Sequence, residues 1–160
     1  MTTTRATELC LSFFLPPDTW GLLSATSLVE VLTLDPTQLV PIPDMGPAVV
    51  GVTNWRGEVL WLLDLGVHLG FPGLFDQAHP LSACLGLVIR HQGQTLGLLV
   101  ERVGAMLNLD LAEIQSPLGS LSNPELTACL RGYWLHPEGA THLVLDMGAL
   151  LESLRPAAPA

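Results

Sequence analysis

The sequence contains no lysine, and its whole basic complement is six arginines against 15 acidic residues, a formal net charge of −9. Nucleic-acid binding needs clustered cations that displace counterions, and this sequence supplies none. The same shortage argues against attraction to anionic lipid. Cysteine is scarce too. Cys10, Cys84 and Cys129 are odd in number, far apart and form no CxxC pair, which predicts buried free thiols in a reducing compartment. No apolar run approaches the ~20 residues of a membrane span, and the opening MTTTRATELC lacks the apolar core of a signal peptide. A cytoplasmic protein is expected. No GxSxG elbow, P-loop or GxGxxG occurs. The five histidines include no i,i+4 pair and no zinc-finger spacing with cysteine, so solvated or singly bonded imidazoles are expected at His68, His79, His91 and His136. These absences predict a protein that is not an enzyme and holds neither metal nor cofactor.

What the sequence has in excess is apolar residues, 49% against 13% charged, with a mean hydropathy of +0.45. A chain of 160 residues buries roughly 70% of its unfolded surface without needing a disulfide or metal. That length fits one domain, or two small subdomains sharing a core. With so few charges to cover it, the remaining surface must be apolar in places, and such patches mark contacts with other proteins.

The stretch from Gly51 to Gly70, GVTNWRGEVLWLLDLGVHLG, returns near the C-terminus. Aligning Gly57 with Gly139 puts Asp64 on Asp146 and Gly66 on Gly148, all 82 residues apart, while Gly51 and Gly132 open the copies 81 apart. Each copy reads as strand, Gly-bearing turn, strand ending in Asp, then a helical segment. TWGLLSATSLVEVL from Thr19 similarly echoes TLGLLVERVGAML from Thr95. Recurrence at fixed spacing indicates a duplicated supersecondary unit.

Residues 1–7 read as a loose arm and residues 155–160, RPAAPA, as a flexible tail. A first strand is expected over 8–15, stopped by Pro16 and Pro17, with a hairpin partner over 20–23. Residues 24–32 are ambiguous between strand and short helix. Pro41, Pro43 and Pro47 mark an edge or connecting segment. The clearest hairpin spans 49–54 and 58–64. Its second strand has two apolar faces, Val59, Trp61 and Leu63 against Leu60 and Leu62, so it is buried on both sides or covered by a partner. Residues 71–83 read as the connection between halves. Further hairpins are expected at 84–90 with 95–100 and at 130–135 with 140–146. Short helical turns are expected within 110–117 and 123–130, where Asn123 is a fair cap before Pro124, and a helix over 147–154. Asp64 and Asp146 each follow a strand and precede a helix, which predicts capping carboxylates rather than a catalytic pair. Many short strands with regular turns favour small barrels over a βαβ sheet.

The run from Pro41 through Gly70, PIPDMGPAVVGVTNWRGEVLWLLDLGVHLG, resembles the signature of CheW-like adaptor domains, with its N-x-R-G turn followed by D-L. CLSFFL, LVEVL, LGLLVERV and the final GYW…LVLDMGALL follow in family order, so the resemblance covers residues 8–154 as one domain, with halves of about 16–80 and 81–154. The IPDM…NWRGEVLW variant is particularly similar to members in cyanobacterial motility or phototaxis clusters. The resemblance implies a mainly β fold: two similar five-stranded SH3-like β-barrel subdomains sharing a hydrophobic core, with short helices. It also implies a non-catalytic adaptor in chemotaxis, phototaxis or pilus-motility signalling. Such an adaptor couples a chemoreceptor-type sensor to a CheA-like histidine kinase. In the family one barrel surface docks the regulatory domain of the kinase, and a groove between barrels receives the tip of the receptor's cytoplasmic helical hairpin. The adaptor is then recruited to membrane-associated receptor arrays. The alternative is a CheW-fold scaffold or sequestering module for another partner, such as a pilus regulator.

Arg56 is the first candidate for partner binding, since a guanidinium in a hairpin turn makes directional, bidentate contacts. Bracing its own turn is the other reading. Asn54 and Gly57 are expected to supply turn geometry, as residues that tolerate φ > 0. Trp55 stands where leucine is more usual in the family, either as an exposed aromatic anchor or folded back over its own barrel. Leu28, Glu30, Val103 and Met106 occupy segments that fall near partner contacts in the family, with ordinary core as the alternative for the three apolar ones. Gly51, Gly97 and Gly132 match family glycines, where a missing side chain allows close approach of backbone or partner.

Overall fold

Ten described strands form two five-stranded sheets, and the duplication seen in the sequence is also the symmetry of the fold. The computed structural model describes residues 6–74, 84–116 and 124–154. The strands are β1 (Thr7–Leu15), β2 (Thr19–Ser24), β3 (Leu28–Leu34), β4 (Val49–Trp55), β5 (Glu58–Asp64), β6 (Cys84–His91), β7 (Gln94–Val100), β8 (Arg102–Asp110), β9 (Leu130–Leu135) and β10 (Thr141–Leu145). Among the described residues three short helices accompany them: α1 (Leu65–His68), α2 (Pro124–Ala128) and α3 (Met147–Leu154).

The first sheet runs β8-β1-β2-β10-β9 and the second β3-β6-β7-β5-β4. Advancing five strands in the chain maps one order onto the other. In each sheet the central parallel pair, β2 with β10 and β7 with β5, joins two antiparallel hairpins. Val40 returns after β3 to pair with Val52 of β4, and Gln115 returns after β8 to pair with Tyr133 of β9. These bridges join the two edges of each sheet and close it into a small barrel, which removes exposed edges.

Each sheet takes strands from both sides of residue 80: β1 and β2 join β8, β9 and β10, while β6 and β7 join β3, β4 and β5. The two copies are thus intertwined, and the chain crosses between barrels at β2–β3 and again at β7–β8. A shared core forms where the barrels meet, built on Leu11, Phe13, Leu23, Leu63, Leu87, Ile89, Leu98 and Leu145. The interior of the second barrel packs Leu34, Trp55, Leu60, Leu62, Val88 and Leu99. The first barrel packs Cys10, Leu22, Leu109, Trp134 and Val144. Alternation explains the division. In β1, Leu11, Phe13 and Leu15 face the shared core, while Cys10 faces its own barrel.

Several expectations are sharpened. The ambiguous residues 24–32 are a 3-10 turn at Ala25–Ser27, capped by Ser24, followed by β3. Residues 102–110, not read as a strand, form β8 along the whole of β1. β1 begins at Thr7, which pairs with Asp110, so the last residue of the expected loose arm is in the sheet. The helical turns expected within 110–117 and 123–130 are the 3-10 turn Leu111–Glu113 and α2. The Asn123 cap, His79, most of the 71–83 connection and the tail 155–160 lie outside the described residues.

Candidate functional site

The β4–β5 hairpin turns through two residues, Arg56 at φ 52° and Gly57 at φ 79°, the left-handed pair of a type I′ connection. Glycine adopts that conformation freely, and arginine accepts it at a steric cost. Asn54 does not share it, contrary to expectation: it is the penultimate residue of β4, and it stabilises the turn by accepting the Gly57 N–H on Oδ1 at 3.0 Å. Trp55 follows the second of its two readings. It is only 6% exposed and packs into the second barrel beside Leu60 and Leu62, because its position in β4 points inward. Its indole N–H donates to Oε1 of Glu30 on β3. Arg56 lies over the Trp55 ring at 4.9 Å from its centroid, and its Nη2 is 3.0 Å from that same Glu30 oxygen. Glu30 thus holds both residues, while the Arg56 side chain stays 64% exposed. Arg56 braces the turn and still offers donors to solvent.

Beside this turn the outer face of β5 is uncovered. Val59 is 71% exposed and Trp61 40%, while Leu60 and Leu62 fill the barrel and Leu63 the shared core. Val40, on the closing bridge, is exposed as well. A shallow depression of 520 Å³ lined by Gln38, Val40, Val52, Asn54 and Val59 continues the patch. The strand therefore buries Leu60 and Leu62 on one face, and on the other it buries Leu63 while leaving Val59 and Trp61 in solvent. An apolar strip ringed by polar groups and an arginine has the composition of a protein contact.

The remaining candidates separate. Leu28 pairs with Ile89 and Val103 with Phe13, both partners being shared-core residues, and each is half-buried where the chain passes from one barrel to the other. Met106 is exposed on β8. Gly51 and Gly132 are packing requirements, since a Cβ would collide with the carbonyl of Val40 or Gln115 in the closing bridges. Gly97 faces Leu62 and Leu60 across the parallel pair. All three glycines are buried and meet their own chain.

Asp64 and Asp146 are caps. Asp64 Oδ1 accepts from Val67 N at 3.3 Å and Oδ2 from Leu74 N at 2.9 Å, and Asp146 Oδ1 accepts from Ala149 N at 3.0 Å. A cleft of 690 Å³ between α1 and α2–α3 holds the pair of residues that most resembles catalytic machinery, His68 Nε2 at 2.8 Å from Ser153 Oγ. The hydroxyl, however, donates its single proton to Leu150 O at 2.6 Å. In this arrangement the hydroxyl accepts from the imidazole. All three cysteines are buried. Burial, with a smaller contribution from the Glu8 charge against that of Arg131, pushes the Cys10 thiol up to about 11.

Sequence reasoning missed His142, which is 5% exposed inside the first barrel. Its signal was present in the repeat: the 82-residue offset sets His142 on Leu60, an interior position.

The family model for the CheW-like domain matches residues 10–155. No curated protein gives a significant match. Among solved structures, the scaffolding protein TtCheW from Thermoanaerobacter tengcongensis is similar at a TM-score of 0.74 and 18% identity, over 88% of this chain and 90% of that one.

Proposed function

Because the chain belongs to the family of CheW-like domains, we propose that it is a non-catalytic adaptor coupling a chemoreceptor-type sensor to a CheA-like histidine kinase. The observation that carries this reading is the outer face of β5, where Val59 and Trp61 stand exposed beside a guanidinium anchored by Glu30. An anchored arginine next to an aromatic side chain is the usual make-up of an interface hot spot. We assign this face to the regulatory domain of the kinase, itself CheW-like.

The sensor's helical hairpin tip is assigned to the seam between barrels at Leu28 and Val103, with Met106 at its rim. These two residues rest on the same core from opposite barrels, so an apolar helix seated there would touch both at once. Its movement is then transmitted through packed side chains to the kinase face, as a coupling free energy between two sites. The chemistry asked of the adaptor is positional. We place it in a motility or phototaxis array, on the tryptophan-bearing form of the hairpin turn, Asn54-Trp55-Arg56-Gly57, where recruitment to receptors brings it to the membrane surface.

The test is assembly. The protein mixed with the cognate kinase regulatory domain and a receptor-tip fragment is expected to co-elute as a ternary complex, and Val59→Asp to lose the kinase domain while keeping the receptor fragment. Failure of the wild type to retain the kinase domain at tens of micromolar would count against the adaptor role. Kinase binding without receptor binding would favour a sequestering scaffold instead.

A further inference from the structure

The mouth of the first barrel carries a column of rings that neither the adaptor role nor the core explains. Arg102 lies 4.3 Å from the Phe14 centroid and 5.4 Å from that of Trp20. Trp20 stacks on His142 at 5.7 Å, and His142 stacks on His136 at 5.5 Å with 22° between ring planes. Trp134 meets both imidazoles edge-on. The second barrel puts Leu60 at the position of His142.

Both imidazoles are wired into the loop that joins β9 to β10. His136 Nδ1 accepts the N–H of Glu138 at 3.0 Å, a bond open only to a ring whose Nδ1 is unprotonated. His142 Nδ1 donates to Ala140 O at 3.2 Å. The backbone closes the same loop, from His136 N to Ala140 O and from Gly139 N to His136 O. We infer that the His136–His142 stack is a proton-operated latch, shut while both rings are neutral and opened by protonation, which frees residues 136–140 from the barrel mouth.

The surrounding charges set the direction. β8 contributes Arg102, whose cation already occupies the Trp20 face, so a charged His142 would add a second positive group to one column. The 3-10 turn after β8 contributes Glu113, which is engaged by the Trp134 indole N–H at 3.3 Å. The loop itself contributes Glu138, exposed on the wall of the 220 Å³ cavity above the rings. β1 and β2 present Ser12, Phe14 and Trp20 there, and β1 also sends the Cys10 thiol into the same barrel beside Trp134. Burial is the main cause that holds the His142 imidazole below the usual histidine range. Donation to Ala140 opposes it, and a charge on His136 adds to it. A histidine with a depressed folded pKa stabilises the fold above its unfolded value of about 6.5. That contribution is lost as pH falls below it, because the unfolded chain takes the proton more readily.

The experiment is an NMR titration of the whole protein from about pH 7.5 to pH 5, the range in which imidazoles titrate. It follows the two imidazole signals together with amide exchange at His136, Glu138 and Gly139. These three amides are expected to lose protection as the rings take up protons, with the same midpoint as the rings. The pair His136→Asn with His142→Asn keeps a short acceptor and donor near the Nδ1 positions but does not titrate, and is expected to stay protected throughout. Unchanged wild-type protection, separate midpoints for rings and amides, or equal opening of the double variant would each overturn the latch. The wild-type midpoints decide the matter even where the double variant fails to fold.

Discussion

Arg56 Nη2 lies 3.0 Å from Glu30 Oε1, the same oxygen that accepts the indole N–H of Trp55. One carboxylate on β3 thus fixes a buried ring and an exposed cation on the neighbouring hairpin, and the two roles separate by mutation. Arg56→Ala removes an exposed ion pair, worth at most about 1 kcal/mol of stability, and is expected to weaken kinase-domain binding. Glu30→Ala strands the buried indole N–H and is expected to cost about 1–3 kcal/mol. Urea unfolding of both variants, beside calorimetric binding, reads the contrast.

The β5 face gives the opposite pattern. Val59→Asp changes a side chain that already faces water, so its stability is expected to stay within about 0.5 kcal/mol of wild type. Binding of the kinase domain is expected to fall at least about tenfold, the equivalent of 1.4 kcal/mol. Leu62→Ala, one strand face away in the barrel interior, is expected to cost about 2–5 kcal/mol of stability.

The two caps are not equivalent, although the repeat makes them mates. Asp146→Ala loses the Ala149 N–H bond on a half-buried carboxylate and is expected to cost about 1 kcal/mol. Asp64→Ala leaves the amides of Val67 and Leu74 unmatched around a buried site. Its cost is expected to be at least twice as large, since each buried donor left unpaired adds about 1–3 kcal/mol. Thermal unfolding of the two variants side by side checks the order.

The thiols provide a test of burial. Burial raises Cys10 and Cys84 above the ordinary thiol range, with Asp64 and Asp35 adding to the effect at Cys84. Since the thiolate is the reactive form, a neutral alkylating reagent at pH 7 is expected to leave the native protein essentially unmodified. In urea all three cysteines should react.

The barrels were legible because their signals are local. The offset between Asp64 and Asp146, the alternation in β5 and the turn at Arg56-Gly57 each depend on residues close in sequence. The β8 strand was hidden because Gly104, Ala105 and Asn108 break its apolar alternation, and it becomes a strand only by pairing with β1, far away in the sequence. The exchange of strands between barrels was hidden for the same reason, since an internal repeat shows that two units exist but not which strands they share. At the candidate site, Arg56 could be picked out from sequence. The inward direction of Trp55 was not decidable until β4 was known to present it to Leu60 and Glu30. His142 carried a signal only by comparison with its mate, Leu60.

The central claim is that an anchored arginine and an exposed apolar strand face dock a CheA-like kinase. Isothermal titration of the wild-type protein and Arg56→Ala against the regulatory domain of the cognate kinase tests it most directly. The account predicts micromolar binding by the wild type and a clear loss in the variant, with both proteins equally folded. Absence of binding by the wild type at tens of micromolar would contradict the account and send the search to another partner.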